Sequence, residues 1–70
     1  MRVLRMREVQ AKVGLGRSSI YERIDEKHPR YDATFPRPVS LGAAAVGWIE
    51  SEIDEWIAAR VRASRAQEVA

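Results

Sequence analysis

The fold of this chain is decided by residues 14–24, which read GLGRSSIYERI. Gly14 has no Cβ atom, so it can adopt the left-handed backbone conformation that ends a helix. Ser18 and Ser19 suit the first turn of a following helix, where backbone N–H groups lack partners. Ser19 and Glu22 also have the spacing of a capping box. The stretch therefore predicts a tight turn that begins a short helix.

This second helix, predicted over about residues 17–26, carries side chains that suit a nucleic acid. Ile20 and Ile24 are four residues apart, so they share one face and turn toward the core. The other faces present Arg17, two hydroxyls and Tyr21, which can bind phosphates and base edges. An ordinary helical hairpin with a capped second helix explains the same stretch equally well.

The residues on either side of this stretch predict a first helix and a long loop. Residues 6–13 place apolar side chains at the i, i+3 and i+7 positions of one helix face. Residues 2–5 form either a small strand or an extended lead-in. Pro29 ends the second helix, because a residue before proline disfavours helical geometry. A polar, proline-containing loop then runs to residue 38.

The second half of the chain predicts a β-hairpin and a third helix. Residues 39–41 and 46–49 read as two short strands joined by a turn. Residues 50–62 have one continuous apolar face, formed by Ile53, Trp56, Ile57 and Val61. Acidic residues crowd the first turns of this helix, and arginines at positions 60, 62 and 65 match its dipole at the other end.

Length and composition restrict the functional classes. Seventy residues make one small domain, which we assign to residues 1–64, with residues 65–70 as a disordered tail. The chain has no cysteine and a single histidine, so disulfides and Cys-based zinc sites are excluded. We find no catalytic constellation and expect neither an enzyme nor a bound cofactor or metal.

Charge and hydropathy favour an anionic partner over a membrane. No apolar run approaches the roughly 20 residues of a membrane span, and the N-terminus is too charged for the core of a signal peptide. We expect a cytoplasmic, nucleoid-associated bacterial protein without membrane contact. Residues 1–38 carry nine basic and five acidic side chains, whereas residues 39–70 carry three and five. Such a basic front suits nucleic acid, although mixed charge also keeps a small domain soluble.

The order of helix, turn, helix, loop, hairpin and helix is that of a winged helix-turn-helix fold. This fold is mainly α with a small β-hairpin, and it favours DNA binding. A two-stranded hairpin is barely stable alone, so it must pack against the helices. We expect Trp48 and Trp56 to be the largest members of the shared core.

Eight side chains are candidates for DNA contact, four of them at the start of the second helix. They are Arg17, Ser18, Ser19, Tyr21, Arg23, Arg37, Lys12 and Arg7. A guanidinium at a helix N-terminus can bind a guanine edge or clamp a phosphate, so Arg17 leads this set. The two serines either bind DNA or only cap the helix. Tyr21 either donates to a phosphate or packs at the edge of the core.

The other four candidates have alternative roles at the protein surface. Arg23 points away from the predicted groove face, toward either the DNA backbone or a surface carboxylate. Arg37 lies between two prolines at the base of the hairpin, which is a rigid position for a phosphate contact. Lys12 and Arg7, on the first helix, either reach flanking phosphates or remain solvated.

Four segments occur in an order and spacing that together carry a family resemblance. They are RMREV (5–9), VGLGRSSIY (13–21), FPRPVSLG (35–42) and AVGWIESEIDEWI (45–57). Together they resemble the AlpA-type regulators of phages and prophages over about residues 4–62. The resemblance implies a small winged-helix protein that binds DNA, similar in fold to excisionases and to the DNA-binding half of MerR regulators. Family members act as transcription factors for phage integrase or excision genes, or as excision factors.

Two positions depart from the pattern of that family. Gly16 stands where the family usually has serine. The glycine provides no side-chain cap, and this lowers the stability of the helix by a modest amount. Ala44 stands where the family often has a basic residue in the wing. A wing tip without a cation should hold phosphate or the minor groove more weakly.

The function predicted from the sequence is that of an AlpA-type, sequence-specific DNA-binding transcriptional regulator. Helix 17–26 would enter the major groove, and the hairpin would lie on adjacent backbone. One alternative is an excisionase-like recombination directionality factor that bends DNA at attachment sites. Another is an interaction module in which helix 50–62 binds integrase or polymerase. The expected partners are double-stranded DNA and either further copies of the chain on DNA or a phage integrase.

Overall fold

A computed structural model of the chain describes residues 1–69 and shows three helices around a small antiparallel sheet. The elements in chain order are β1 (Val3–Leu4), α1 (Met6–Val13), α2 (Arg17–Ile24), β2 (Val39–Ser40), β3 (Val46–Ile49) and α3 (Glu50–Val69). The fold is therefore mainly helical, as the sequence predicted, and the hairpin joins a sheet of three strands.

The central strand of the sheet is β3, and the strand order is β1-β3-β2. It pairs antiparallel with β1, where Leu4 lies opposite Trp48, and with β2, where Val39 lies opposite Gly47. Of the two alternatives for residues 2–5, the structure therefore shows the short strand. This third strand stabilises a hairpin that would be marginal alone.

Trp48 is fully buried at the centre of the core. Its buried neighbours come from β1, from every helix and from the loop, and they are Leu4, Val9, Ile20, Phe35 and Ile53. The indole N–H of Trp48 donates a hydrogen bond of 3.1 Å to the carbonyl of Pro36. Trp56 is only half-buried and meets the ring of Phe35 edge-on at 4.9 Å. Trp48 thus anchors the core, whereas Trp56 lies at its edge.

The turn between α1 and α2 forms as the glycines predict. Helix α1 has the predicted bounds and ends at Gly14, which adopts a φ of 71° in the left-handed region. The N–H of Gly14 donates to the carbonyl of Gln10 at 2.9 Å, which closes the last turn. At the other end of α1, the N–H of Arg5 donates to Oε1 of Glu8 at 3.0 Å.

Helix α2 begins where the sequence predicted but ends at Ile24, two residues before the expected end at 26. Its N-cap is Gly16, in an extended conformation that provides no side-chain cap. The capping box predicted for Ser19 and Glu22 is wrong, because both residues lie inside the helix. The first N–H groups of α2 are therefore not satisfied by a capping side chain.

Helix α3 continues well past the end predicted near Arg62, so that predicted end is wrong. The segment 65–70, expected to be a disordered tail, belongs to α3 as far as Val69, and Ala70 lies outside the described residues. None of the arginines at positions 60, 62 and 65 lies in the last turn of this longer helix. The helix dipole therefore does not account for their position, since its effect is confined to the terminal turn.

The loop between α2 and β2 is organised around Asp32. The N–H of Asp32 donates to the carbonyl of Arg23 at 2.9 Å. Its Oδ1 accepts hydrogen bonds from the backbone N–H and the hydroxyl of Thr34, at 2.9 and 2.5 Å. The N–H of Phe35 donates to the Asp32 carbonyl at 3.1 Å, and this turn directs the Phe35 ring into the core.

The Asp32 carboxylate is stabilised in its charged form. Partial burial alone would raise its pKa, but the hydrogen bonds from Thr34, the nearby Trp56 N–H and the charge of Arg23 outweigh burial. The pKa of Asp32 is therefore lowered from its ordinary value of 3.8. Because the folded state lowers this pKa, the carboxylate contributes stability above about pH 3.8 that is lost as the pH falls through the folded value.

Gly47 is required by the close approach of the three strands. A Cβ atom at this position would lie 2.5 Å from Cγ1 of Val3, 3.0 Å from Cδ1 of Leu41 and 3.1 Å from the backbone oxygen of Leu4. The Leu4 oxygen belongs to the paired strand and cannot rotate away. In contrast, nothing lies within 4 Å of a Cβ built on Gly42, and Gly42 does not have a positive φ.

We expect Gly47→Ala to lower the free energy of unfolding by about 1–3 kcal/mol, because it overpacks the sheet. Gly42→Ala is the matched control and should change stability by less than about 0.5 kcal/mol. Urea unfolding followed by tryptophan fluorescence measures both. Equal stabilities of the two variants would contradict the close packing of Val3 and Leu4 against Gly47.

We expect the wild-type protein to lose more stability between pH 6 and pH 3 than Asp32→Asn does. The substitution removes the carboxylate whose pKa the folded state lowers, and with it that share of the pH dependence. Thr34→Val removes one of the hydrogen bonds and should reduce the dependence partly. Urea unfolding at both pH values provides the measurement, and identical pH dependence in all three proteins would refute this role of Asp32.

Candidate nucleic-acid interface

The N-terminal turn of α2 brings four of the predicted DNA-binding side chains to the surface. Arg17, Ser18 and Tyr21 are exposed, and Ser19 is half-buried. The adjacent Ile20 is fully buried, so it fixes this turn on the core. Because no side chain caps α2, the turn offers backbone N–H groups and hydroxyls together, which is an arrangement suited to phosphate.

Arg17 and Tyr21 form a pair on this surface. Cζ of Arg17 lies 5.7 Å from the centre of the Tyr21 ring, a distance typical of a cation–π contact. Tyr21 is 46% exposed and therefore stands outside the core. A guanidinium that contacts a ring through its face retains N–H groups along its edge. The pair thus orients Arg17 while leaving donors for a base or a phosphate.

Arg37 is held by the protein itself. Its Nη2 forms an ion pair with Oε1 of Glu26 and donates to the hydroxyl of Tyr31 at 3.2 Å. The hydrogen bonds and charges of these two groups raise the pKa of Arg37. A phosphate at this position would have to replace the Glu26 carboxylate. Arg37 therefore ties the segment just after α2 to the base of the hairpin.

Lys12 is likewise engaged within the protein. Its Nζ lies 2.7 Å from Oδ1 of Asp54 and 3.1 Å from Oε2 of Glu50. Hydrogen bonds to Asp54 and Glu50 raise the pKa of Lys12. Arg2 joins the same cluster, at 3.3 Å from Glu50 and 2.5 Å from Glu8. These ion pairs connect α1 and the N-terminal strand to α3.

Arg7 and Arg23 differ in how accessible they are. Arg7 is exposed on α1 and has no ion-pair partner among residues 1–67. Arg23 is half-buried, its Nε is enclosed without a hydrogen-bond partner in the described structure, and its charge acts on Asp32. The accessible candidates are therefore Arg7 and the four side chains at the start of α2.

The hairpin formed by β2 and β3 offers no charge to a ligand. No charged residue lies between Val39 and Ile49. Leu41, Ala44 and Val46 are exposed around the turn. This hairpin offers backbone and apolar contacts and the hydroxyl of Ser40, but no cation for a phosphate.

Several residues that shape this surface were not predicted from the sequence. Asp32 and Thr34 have the spacing of an Asx turn, and that signal would have identified the loop turn. No local spacing connects Lys12 with Glu50, which is 38 residues away. The same holds for Arg37 and Glu26, on opposite sides of the long loop.

Among residues 1–67, no group of three or more His, Cys, Asp or Glu side chains is placed to hold a metal ion. No helix of that part of the chain combines the length and the apolar character of a membrane span.

Comparison with known proteins identifies the family. A family model described as "Prophage CP4-57 regulatory protein (AlpA)" matches residues 2–61. The "DNA-binding transcriptional activator AlpA" of Escherichia coli (strain K12) is 50% identical over 62 residues, which are 89% of this chain and 89% of that protein.

A phage protein is also similar to the chain. "Uncharacterized protein ORF88" of Enterobacteria phage P4 is 43% identical over 60 residues, which are 86% of this chain and 61% of that protein. No solved structure matches the chain at a significant level. The family match spans most of the sequence and confirms the resemblance carried by the four segments. The chain therefore belongs to the AlpA family of prophage regulatory proteins.

Proposed function

We propose that this protein is a sequence-specific DNA-binding transcriptional regulator with a winged helix-turn-helix fold. Helices α1 and α2 form the helix-turn-helix, and the β2–β3 hairpin is the wing. The observation that carries the proposal is the exposed, uncapped N-terminal turn of α2, which holds Arg17 against Tyr21 beside two serines. The relative that shares half of its residues with this chain is described as a DNA-binding transcriptional activator.

The first turn of α2 would enter the major groove, and the rest of the helix would leave it. The backbone N–H groups and the hydroxyls of Ser18 and Ser19 suit phosphate oxygens, which position a protein without reading sequence. The guanidinium of Arg17 suits the O6 and N7 atoms of guanine, which do carry sequence information. Glu22 lies further along α2, and its Oε1 is 3.6 Å from Nη1 of Arg30. The negative charge of Glu22 disfavours close approach of this part of α2 to phosphate.

Charge outside α2 would contribute through Arg7 more than through the paired cations. Arg7 is exposed and can reach flanking phosphate. Lys12 and Arg37 would first have to exchange a carboxylate for a phosphate. Arg23 would act mainly through its effect on the loop. The wing would lie along adjacent backbone or minor groove through apolar and backbone contacts, so it should add little to the salt dependence.

One copy of so small a domain buries a modest area on DNA, so specific binding favours two or more copies on one site. Such a regulator acts on the bacterial nucleoid, in the cytoplasm, and requires no catalytic group. An excision factor of the same fold would bind clustered sites and bend DNA, and it would recruit an integrase. The two roles share the DNA-binding surface and differ in where they act.

We expect Arg17→Ala to lower affinity for the specific site by about 1–3 kcal/mol, because the guanine contact is lost. The slope of log affinity against log salt should fall by about one if the guanidinium also neutralises a phosphate. Lys27→Ala removes one positive charge from the exposed segment after α2, where Lys27 has no ion-pair partner among residues 1–67, and it is the matched control. Fluorescence anisotropy over a range of salt concentrations measures both variants. Unchanged affinity and specificity of Arg17→Ala would overturn the assignment of α2.

The target DNA sequence can be identified by capture of sheared host DNA with the purified protein, followed by sequencing of the captured fragments. A transcriptional regulator should enrich promoter DNA and change transcription of an attached reporter. Clustered enrichment at an integration junction, with bending of the bound DNA, would show an excision factor instead. No enrichment by the wild type would indicate that the chain acts through a protein partner, such as an integrase or polymerase bound at α3.

A further inference from the structure

Residues 50–67 of helix α3 carry their charges in two separate halves. Residues 50–59 contain four acidic and no basic side chains, and residues 60–67 contain three basic and no acidic ones. Glu50 and Asp54 are bound to Lys12 within the domain. The remaining charges at positions 50–67 of α3 have no ion-pair partner among residues 1–67, and they are Glu52, Glu55, Arg60, Arg62 and Arg65.

Contacts within residues 1–67 do not account for the basic half of this arrangement. Glu52 and Glu55 are three residues apart on the helix, as are Arg62 and Arg65, and like charges at this spacing repel each other. The helix dipole favours acids in the first turn and bases in the last, but none of the arginines lies in the last turn. An arrangement that is unfavourable in one helix becomes favourable when a helix of opposite charge lies beside it.

The side of α3 that bears these charges is open to a partner. Ile53, Trp56 and Ile57 pack the first half of the helix onto the core, whereas residues 59–67 are exposed all around. Glu55 and Arg62 are seven residues apart, so they share the face that lies away from Ile53. A groove of about 420 Å³ runs between this part of α3 and the loop, and its lining includes Glu52, Glu55, Trp56 and Pro36.

We propose that two copies of this chain associate through antiparallel α3 helices, the acidic half of each against the basic half of the other. The helices would cross at the small side chains of Ala58 and Ala59. In that register Glu55 faces Arg62 of the partner subunit, and Glu52 and Arg65 of each copy lie on opposite margins of the helix contact. A two-fold axis repeats each contact, so the same face of α3 provides both the acidic and the basic partner in each copy.

A second copy fits this surface better than other partners do. The two acids and the two arginines have the same spacing of three residues, and their common midpoint lies between Ala58 and Ala59. DNA would be repelled by the acidic half of α3, and a basic peptide would pair with only one half. The pairing deepens the proposed function by supplying a second DNA-binding turn, but it forms without DNA and is tested without it.

Charge reversal tests this pairing in the full chain. Glu55→Arg and Arg62→Glu each place like charges together at both symmetry-related contacts. Each should raise the dissociation constant of self-association at least about tenfold. The double variant Glu55→Arg/Arg62→Glu restores opposite charges and should return the constant to within about threefold of the wild type. Sedimentation equilibrium measures all four proteins, and circular dichroism verifies that each retains its helices.

A control variant separates this test from that of DNA binding. Arg7→Glu reverses an exposed charge on α1, so it should leave self-association unchanged while weakening DNA binding. A wild type that stays monomeric at about 1 mM would overturn the pairing. So would single reversals without effect, or a double variant that fails to recover. Loss of DNA affinity in Arg62→Glu without any change in self-association would instead assign the basic half of α3 to phosphate contact.

Discussion

The burial of Trp48 in the middle of β3 is the contact on which the rest of the structure depends. Around this one side chain meet β1, all three helices and the loop that carries Phe35, and its N–H anchors the loop at Pro36. Truncation of a buried tryptophan costs about 3–5 kcal/mol, which is comparable to the whole stability expected for so small a domain. Ile20 packs into the same core, so the exposed turn of α2 is held by the same burial that holds the sheet. The position of the proposed DNA-binding surface is therefore a consequence of the core.

Internal ion pairs decide which cations can meet a ligand. Lys12 and Arg37 are neutralised by carboxylates of the same chain, so a count of basic residues overestimates the charge available to DNA. Exposed ion pairs of this kind contribute little stability each, typically below about 1 kcal/mol. Their larger effect is to determine which cations a ligand can reach, because they leave Arg7 and Arg17 as the accessible cations on α1 and α2. The charges at positions 50–67 of α3 follow the opposite pattern, because acids and bases are segregated along the helix and most of them have no ion-pair partner among residues 1–67.

Local periodicity predicted the helices and the turn, but it did not predict their long-range partners. The bounds of α1, the left-handed Gly14 and the start of α2 follow from residue type and spacing alone, as does the burial of Trp48. The pairing of β1 with β3 joins distant residues and could only be left as one of two alternatives. The end of α3 was predicted too early, because Arg60 and its neighbours resemble a final turn. The ion pair between Arg37 and Glu26 crosses the long loop, where no helical or strand period applies.

Tethered cleavage tests most directly whether the first turn of α2 lies in the major groove. The chain has no cysteine, so Ser18→Cys and Ser64→Cys each introduce a single attachment point for an iron–EDTA cleavage reagent. On a DNA fragment captured by the wild type, the reagent at position 18 should cut within each half-site, with the strand offset of the major groove. The reagent at position 64 on α3 should cut only weakly. Strong cleavage from position 64 and none from position 18 would contradict the account.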